Sequence, residues 1–153
     1  MIKSVFSVVI CAFLVLSLCA CNGKKEFLIG EFTKEVSFTV DDVKVKGQLD
    51  FKSKDSISFT IAEPEYLRGV IFTQETVTAD DVTINYAKLK DESPVYILMS
   101  TLKAMTEGQI YIPTEGEFTL TGATSSAEYK IIFDCETEEI KRIQAGKFTY
   151  IFE

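Results

Sequence analysis

The chain contains no histidine and no tryptophan. Without histidine it lacks the usual general base, the commonest metal ligand and any Ser-His or Cys-His nucleophile system. It shows no glycine-rich phosphate loop, no paired-cysteine metal site and no nucleophile elbow. Proline is scarce at 3 residues, and there are only 4 cysteines. Basic charge is in deficit: 16 Lys and Arg stand against 23 Asp and Glu, a net charge of −7. An acidic chain without a basic stripe is unsuited to nucleic acid. These absences leave no candidate for a catalytic residue, a cofactor or a metal, so a non-enzymatic protein is expected.

What is present begins at the N-terminus. Met1 to Lys3 is a short basic start, and Val5 to Leu18 is a nearly continuous apolar run. Leu18-Cys19-Ala20-Cys21 follows, then the polar Asn22-Gly23-Lys24-Lys25. A charged start, an apolar run of roughly 7–15 residues and a small residue at the cut describe a secretory signal peptide. The Leu-x-Ala-Cys ending resembles the bacterial lipobox, which implies that residues 1–20 are removed and Cys21 carries diacylglycerol. A transmembrane span is the competing reading, but it needs roughly 20 apolar residues. An ordinary signal peptide that leaves Cys21 free is the other. Residues 21–30 would form the anchored end and tether, where Lys24 and Lys25 suit an anionic leaflet. Residues 31–153 then make one domain of ordinary size. With Cys21 acylated, Cys135 has no disulfide partner, so packing alone holds the fold.

From Glu31 onward the pattern has period two. Val36, Phe38 and Val40 alternate with Ser37 and Thr39. Val43, Val45, Gly47, Leu49 and Phe51 alternate with Lys44, Lys46, Gln48 and Asp50. Ile57, Phe59 and Ile61 follow. Such alternation marks antiparallel strands with one buried and one wet face. Asp41-Asp42 and Asp80-Asp81 read as turns; a calcium site at these acidic pairs fits no calcium-loop spacing. Pro64 ends the third strand, and Pro64 to Gly69 is a loop. Short strands follow at 70–73 and 76–78, then one with Val82, Ile84 and Tyr86 inward.

The period then changes. Ser93-Pro94 suits a helix start. Val95, Leu98, Met99, Leu102 and Met105 recur at helical spacing, and Gly108 suits the C-cap. The spacing predicts one helix from about Ser93 to Thr106. Strands resume with Ile110 to Ile112, ended by Pro113. Phe118 and Leu120 then face inward, as do Tyr129, Ile131, Phe133 and a buried Cys135. A final hairpin closes around Gly146. The count is about nine to eleven strands and one helix. So long an antiparallel sheet must twist and curl. The expected fold is mostly β (α+β): a strongly curved sheet, a half-barrel, with the helix on its concave face.

Two stretches carry a resemblance to a known family. Gly47 to Pro64 (GQLDFKSKDSISFTIAEP) and Tyr129 to Ile143 (YKIIFDCETEEIKRI) resemble a strand pair and a late hairpin of the LolA/LolB-like lipoprotein-carrier superfamily. The resemblance implies a half-barrel with a helical lid over an apolar cavity, outside the cytoplasm, handling lipid. That family's lid-latching arginine has no counterpart in a matching motif here; Arg68 and Arg142 are the only arginines. Leu67 is comparable with its exposed loop leucine by strand order alone.

Two functions follow as expectations. One is a membrane-tethered carrier of a lipid or acyl chain. Its pocket and lid would comprise Phe59, Tyr66, Leu67, Phe72, Tyr86, Leu98, Met99, Leu102 and Met105, with Tyr66, Tyr86 and Tyr96 as polar groups at the mouth. Methionine suits an adaptable apolar site. A Met-Leu stripe is more often plain core than pocket, and these residues could simply fill the core. The other is a non-catalytic envelope module that binds a protein through Tyr66-Leu67 or a free sheet edge.

Overall fold

The computed structural model describes residues 30–85, 93–105, 112–114 and 116–153; of 112–114 it describes the backbone. The expected signal peptide, Cys21, most of the tether, Tyr86, Thr106, Gly108 and Ile110 lie outside the described residues.

Eleven described strands form one antiparallel sheet. They are β1 (Phe32–Val40), β2 (Val43–Ser53), β3 (Ser56–Glu63), β4 (Ile71–Thr73), β5 (Thr76–Ala79), β6 (Val82–Asn85), β7 (Ile112–Thr114), β8 (Glu117–Ala123), β9 (Glu128–Asp134), β10 (Ile140–Ala145) and β11 (Phe148–Phe152). One described α-helix, α1 (Pro94–Met105), lies between β6 and β7. The sheet order is β6-β5-β4-β3-β2-β1-β11-β10-β9-β8-β7. Two meanders are thus sewn together where the first strand meets the last, with Val36 opposite Phe152 and Ser37 opposite Ile151.

Turn chemistry sets the hairpins. Asp41 and Asp42 have φ of 46° and 68°. Positive φ at both central residues is the two-residue turn whose twist suits a hairpin, and aspartate tolerates it. In the second Asp pair Asp80 alone takes positive φ, at 50°. Between β9 and β10 the Asp134 carboxylate accepts the Glu136 and Thr137 amides at 2.8 and 3.0 Å, and the Lys141 ammonium at 2.9 Å. The lysine contact first, then these amides, holds that carboxyl well below the usual carboxylate range.

The sheet curls around the helix. α1 touches β3 on one side and β8 and β10 on the other. β3 and β8 stand six places apart in the sheet. Six strand spacings of about 4.8 Å span roughly 29 Å on a flat sheet, against a helix only about 10–12 Å wide. One helix reaches both only if the sheet wraps it. β6 and β7 end the sheet and do not pair with each other among the described residues, so it is an unclosed half-barrel.

The concave face and α1 share one core. Val36, Leu49, Phe59, Leu98, Leu102, Ile131, Ile143 and Tyr150 have no solvent exposure. All five residues of the expected helical stripe are buried, and Ile97 and Thr101 with them.

Several expected placements are corrected. Val82 and Ile84, expected on an inner face, are 61 and 58% exposed, while Val43 keeps the side of β2 that Val45 occupies but is 40% exposed at the open end. A helix of 12 residues is about 18 Å long and covers only the central strands. Ile132, expected outward and wet, is buried on the convex face. A bulge between Ile140 and Arg142 brings Lys141 and Arg142 around the same hollow as Ile132, where their aliphatic stems shelter it. Cys135 lies past the end of β9 and is half-buried, not core. Pro113 sits inside β7 instead of ending a strand. β7 is an edge strand, which tolerates the missing amide hydrogen.

Candidate functional site

A cavity of about 320 Å³ opens at the end of the half-barrel where α1 begins. Four strands supply its wall: Phe38 and Val40 of β1, Val43 and Val45 of β2, Ile61 of β3 and Phe72 of β4. Ser93, Pro94 and Val95 close it from the helix, Tyr66 and Leu67 from the loop, and Asp41 from the first hairpin turn. Ten of these twelve residues are apolar or aromatic, and one, Asp41, carries a carboxyl group.

The loop is built to hold its side chains at the rim. It leaves β3 at Ile61 and returns to it, with the Ile61 amide on the Val70 carbonyl and the Gly69 amide on the Ile61 carbonyl, both at 2.9 Å. A single 3-10 turn, Glu65–Leu67, sits between these bonds. Gly69 takes φ 83°, a conformation that favours glycine. Leu67 is half-buried against the core, whereas Tyr66 is 74% exposed. Arg68 is turned to the loop itself: its guanidinium pairs with Glu65 and its Nε donates to the Ala62 carbonyl at 3.2 Å.

The helix side is fixed as well. The Ser93 hydroxyl accepts the Tyr96 amide at 3.4 Å, and the Ser93 carbonyl accepts the Ile97 amide at 3.0 Å. From the sheet, the wholly buried Tyr150 donates its hydroxyl to the Pro94 carbonyl at 2.7 Å. Burial pushes that phenol well above its ordinary pKa, so it stays protonated and remains a donor.

Of the residues singled out from the sequence, the structure brings Tyr66, Leu67 and Phe72 together at this cavity. Phe59, Leu98, Met99, Leu102 and Met105 do not line it; at 0–2% exposure they fill the space between helix and sheet. Tyr96 is partly buried at the helix start. Sequence reasoning missed Asp41 and the paired strand ends Phe38, Val40 and Val45 as site residues. Their one signal was that the first hairpin turn and the helix start are both chain reversals, and such points gather at the ends of a barrel.

Other hollows differ in kind. One of about 730 Å³ spreads over Thr121, Lys130, Gln144 and neighbours, and one of about 460 Å³ over Asp55, Ser56, Ser58, Gln74 and Glu75. Both have a more polar lining than the cavity at the helix start. Among the described residues no group of three or more Cys, Asp or Glu could hold a metal ion, and no helix is long and apolar enough to cross a membrane.

No family model matches the chain, and no curated protein matches it. Among solved structures it is similar to the LolA superfamily protein NE2245 from Nitrosomonas europaea. The identity is 12%, the match covers 78% of this chain and 66% of that one, and the TM-score is 0.32. The chain therefore spans just under two thirds of that protein's length.

Proposed function

We propose that this chain is a membrane-tethered bacterial lipoprotein of the extracytoplasmic space that holds the end of one hydrophobic chain, from a lipid or acyl compound, in the mouth of its half-barrel. The observation that carries the reading is the apolar cavity of about 320 Å³ under Leu67 and Phe72. It lies within the size range of small-ligand sites, roughly 300–1,000 Å³. At about 30 Å³ per heavy atom it takes roughly ten. The packed interior below it, Phe59 and Leu98 to Met105, limits how much of a ligand enters. Ten methylenes at about 0.8 kcal/mol each give at most ~8 kcal/mol before ordering costs, which sets micromolar affinity as the ceiling.

The test is native mass spectrometry of residues 22–153, purified without detergent and offered alkyl probes of six to sixteen carbons. One probe per chain should bind, with affinity rising to about ten carbons and then levelling. Leu67→Asp should weaken binding about tenfold or more by placing a charge in the apolar wall. Absence of binding at high micromolar probe retires this reading. The second reading, a non-catalytic module that contacts an envelope protein, then stands on the exposed Tyr66 and Val43 at the same rim.

The tether is proposed on Leu18-Cys19-Ala20-Cys21 and the apolar run before it. Two acyl chains hold a protein firmly where one gives only marginal binding. Cells fed a fatty-acid analogue should label the full chain and fail to label Cys21→Ser. A labelled serine variant means that Cys21 is not the acceptor.

A further inference from the structure

Resting on that reading of the cavity, we infer that its ligand carries a cationic head, an alkyl chain ending in an ammonium group. Asp41 is the one acidic residue of the described lining, and no Lys or Arg is among it. Arg68, the cation of the Pro64 to Gly69 loop, is committed to Glu65 and to the Ala62 carbonyl. Tyr66 lines the same cavity and leaves most of its ring in solvent. A carboxylate and an open aromatic face beside an apolar slot are the chemistry that recognises ammonium groups. The positive end of α1 points at the same space and opposes this preference, but it is partly quenched. The Ser93 hydroxyl takes the Tyr96 amide, and Pro94 has no amide hydrogen to offer. A carboxylate, sulfate or phosphate head would instead meet Asp41 with no cation to receive it. The chain's net charge of −7 further enriches cations at the mouth.

The test compares three ten-carbon probes below their micelle concentrations on residues 22–153: decyltrimethylammonium, decyl glucoside and decyl sulfate. The expected order is ammonium, glucoside, sulfate, spanning about tenfold or more in dissociation constant at low salt. Asp41→Asn should collapse the span, and asparagine tolerates the positive φ of this turn. Tyr66→Ala should weaken the ammonium probe most. Asp80→Asn, the same change in a turn outside the cavity, should leave the order intact. Equal affinity for all three heads, tighter sulfate binding, or an equal loss of order in Asp80→Asn overturns the inference while the cavity reading stands. Failure of all three probes to bind overturns the cavity reading and the inference with it.

Discussion

Gly47→Ala will destabilise the domain by about 3 kcal/mol, the upper part of the range for overpacking a tight core. A Cβ at residue 47 would lie 2.4 Å from the Thr60 carbonyl oxygen and 2.5 Å from Cζ of Phe59. Neither neighbour can yield cheaply. The carbonyl belongs to the β2–β3 ladder, where Gln48 stands opposite Thr60 and Gly47 opposite Ile61. The Phe59 ring is wholly buried and packs against Phe38 with centroids 5.8 Å apart. Gly47 is thus the floor on which that ring lies, a place where a strand glycine admits an aromatic neighbour. Urea unfolding should show a lower midpoint with an unchanged slope. Phe59→Leu made in the same chain should cost less than its effect alone adds to that of Gly47→Ala, because the two share one contact. A Gly47→Ala loss under about 1 kcal/mol would show that β2 and β3 can part locally.

Leu102→Ala should cost about 2–5 kcal/mol, the range for emptying a leucine site in a rigid core. Leu102 has no solvent exposure, and α1 buries residues on more than one face, so little can collapse into the void. The same variant, measured at a temperature where it stays folded, should bind the ten-carbon probes with unchanged affinity, since Leu102 does not line the mouth. Leu67→Asp should do the reverse, losing affinity with a smaller loss of stability. If Leu102→Ala instead weakened binding tenfold with intact stability, the helix would be a loose lid and the ligand would lie beneath it.

This separation of core from cavity was not legible in the sequence. Spacing placed Val95, Leu98, Met99, Leu102 and Met105 on one buried stripe, and all five are buried. It did not tell whether a hollow or a wall of side chains faced them. Nor did it foresee Ile97 and Thr101, which are buried because the sheet wraps the helix on two sides. Among the described residues the Thr101 hydroxyl has no hydrogen-bond partner. For the site, the sequence offered Tyr66, Leu67 and Phe72 and overlooked Asp41. An aspartate in a turn carries its local explanation with it, and nothing local says what the turn will face.

By itself the sequence determined the kinds of elements and their punctuation. Period-two runs, Asp-Asp turns, Pro64, Ser93-Pro94 and Gly146 act over a few residues, and the physics that reads them is equally local. It also determined the strong curl, because so long an antiparallel sheet does not stay flat. Tertiary structure alone decided that β1 lies beside β11, that Val82 and Ile84 fall beyond the reach of the helix, and that Ile132 is sheltered on the convex face by Lys141 and Arg142. Alternation says which side of a strand a residue occupies. What stands opposite that side is fixed by strands distant in sequence, and by how far a helix of 12 residues extends over a sheet of eleven strands.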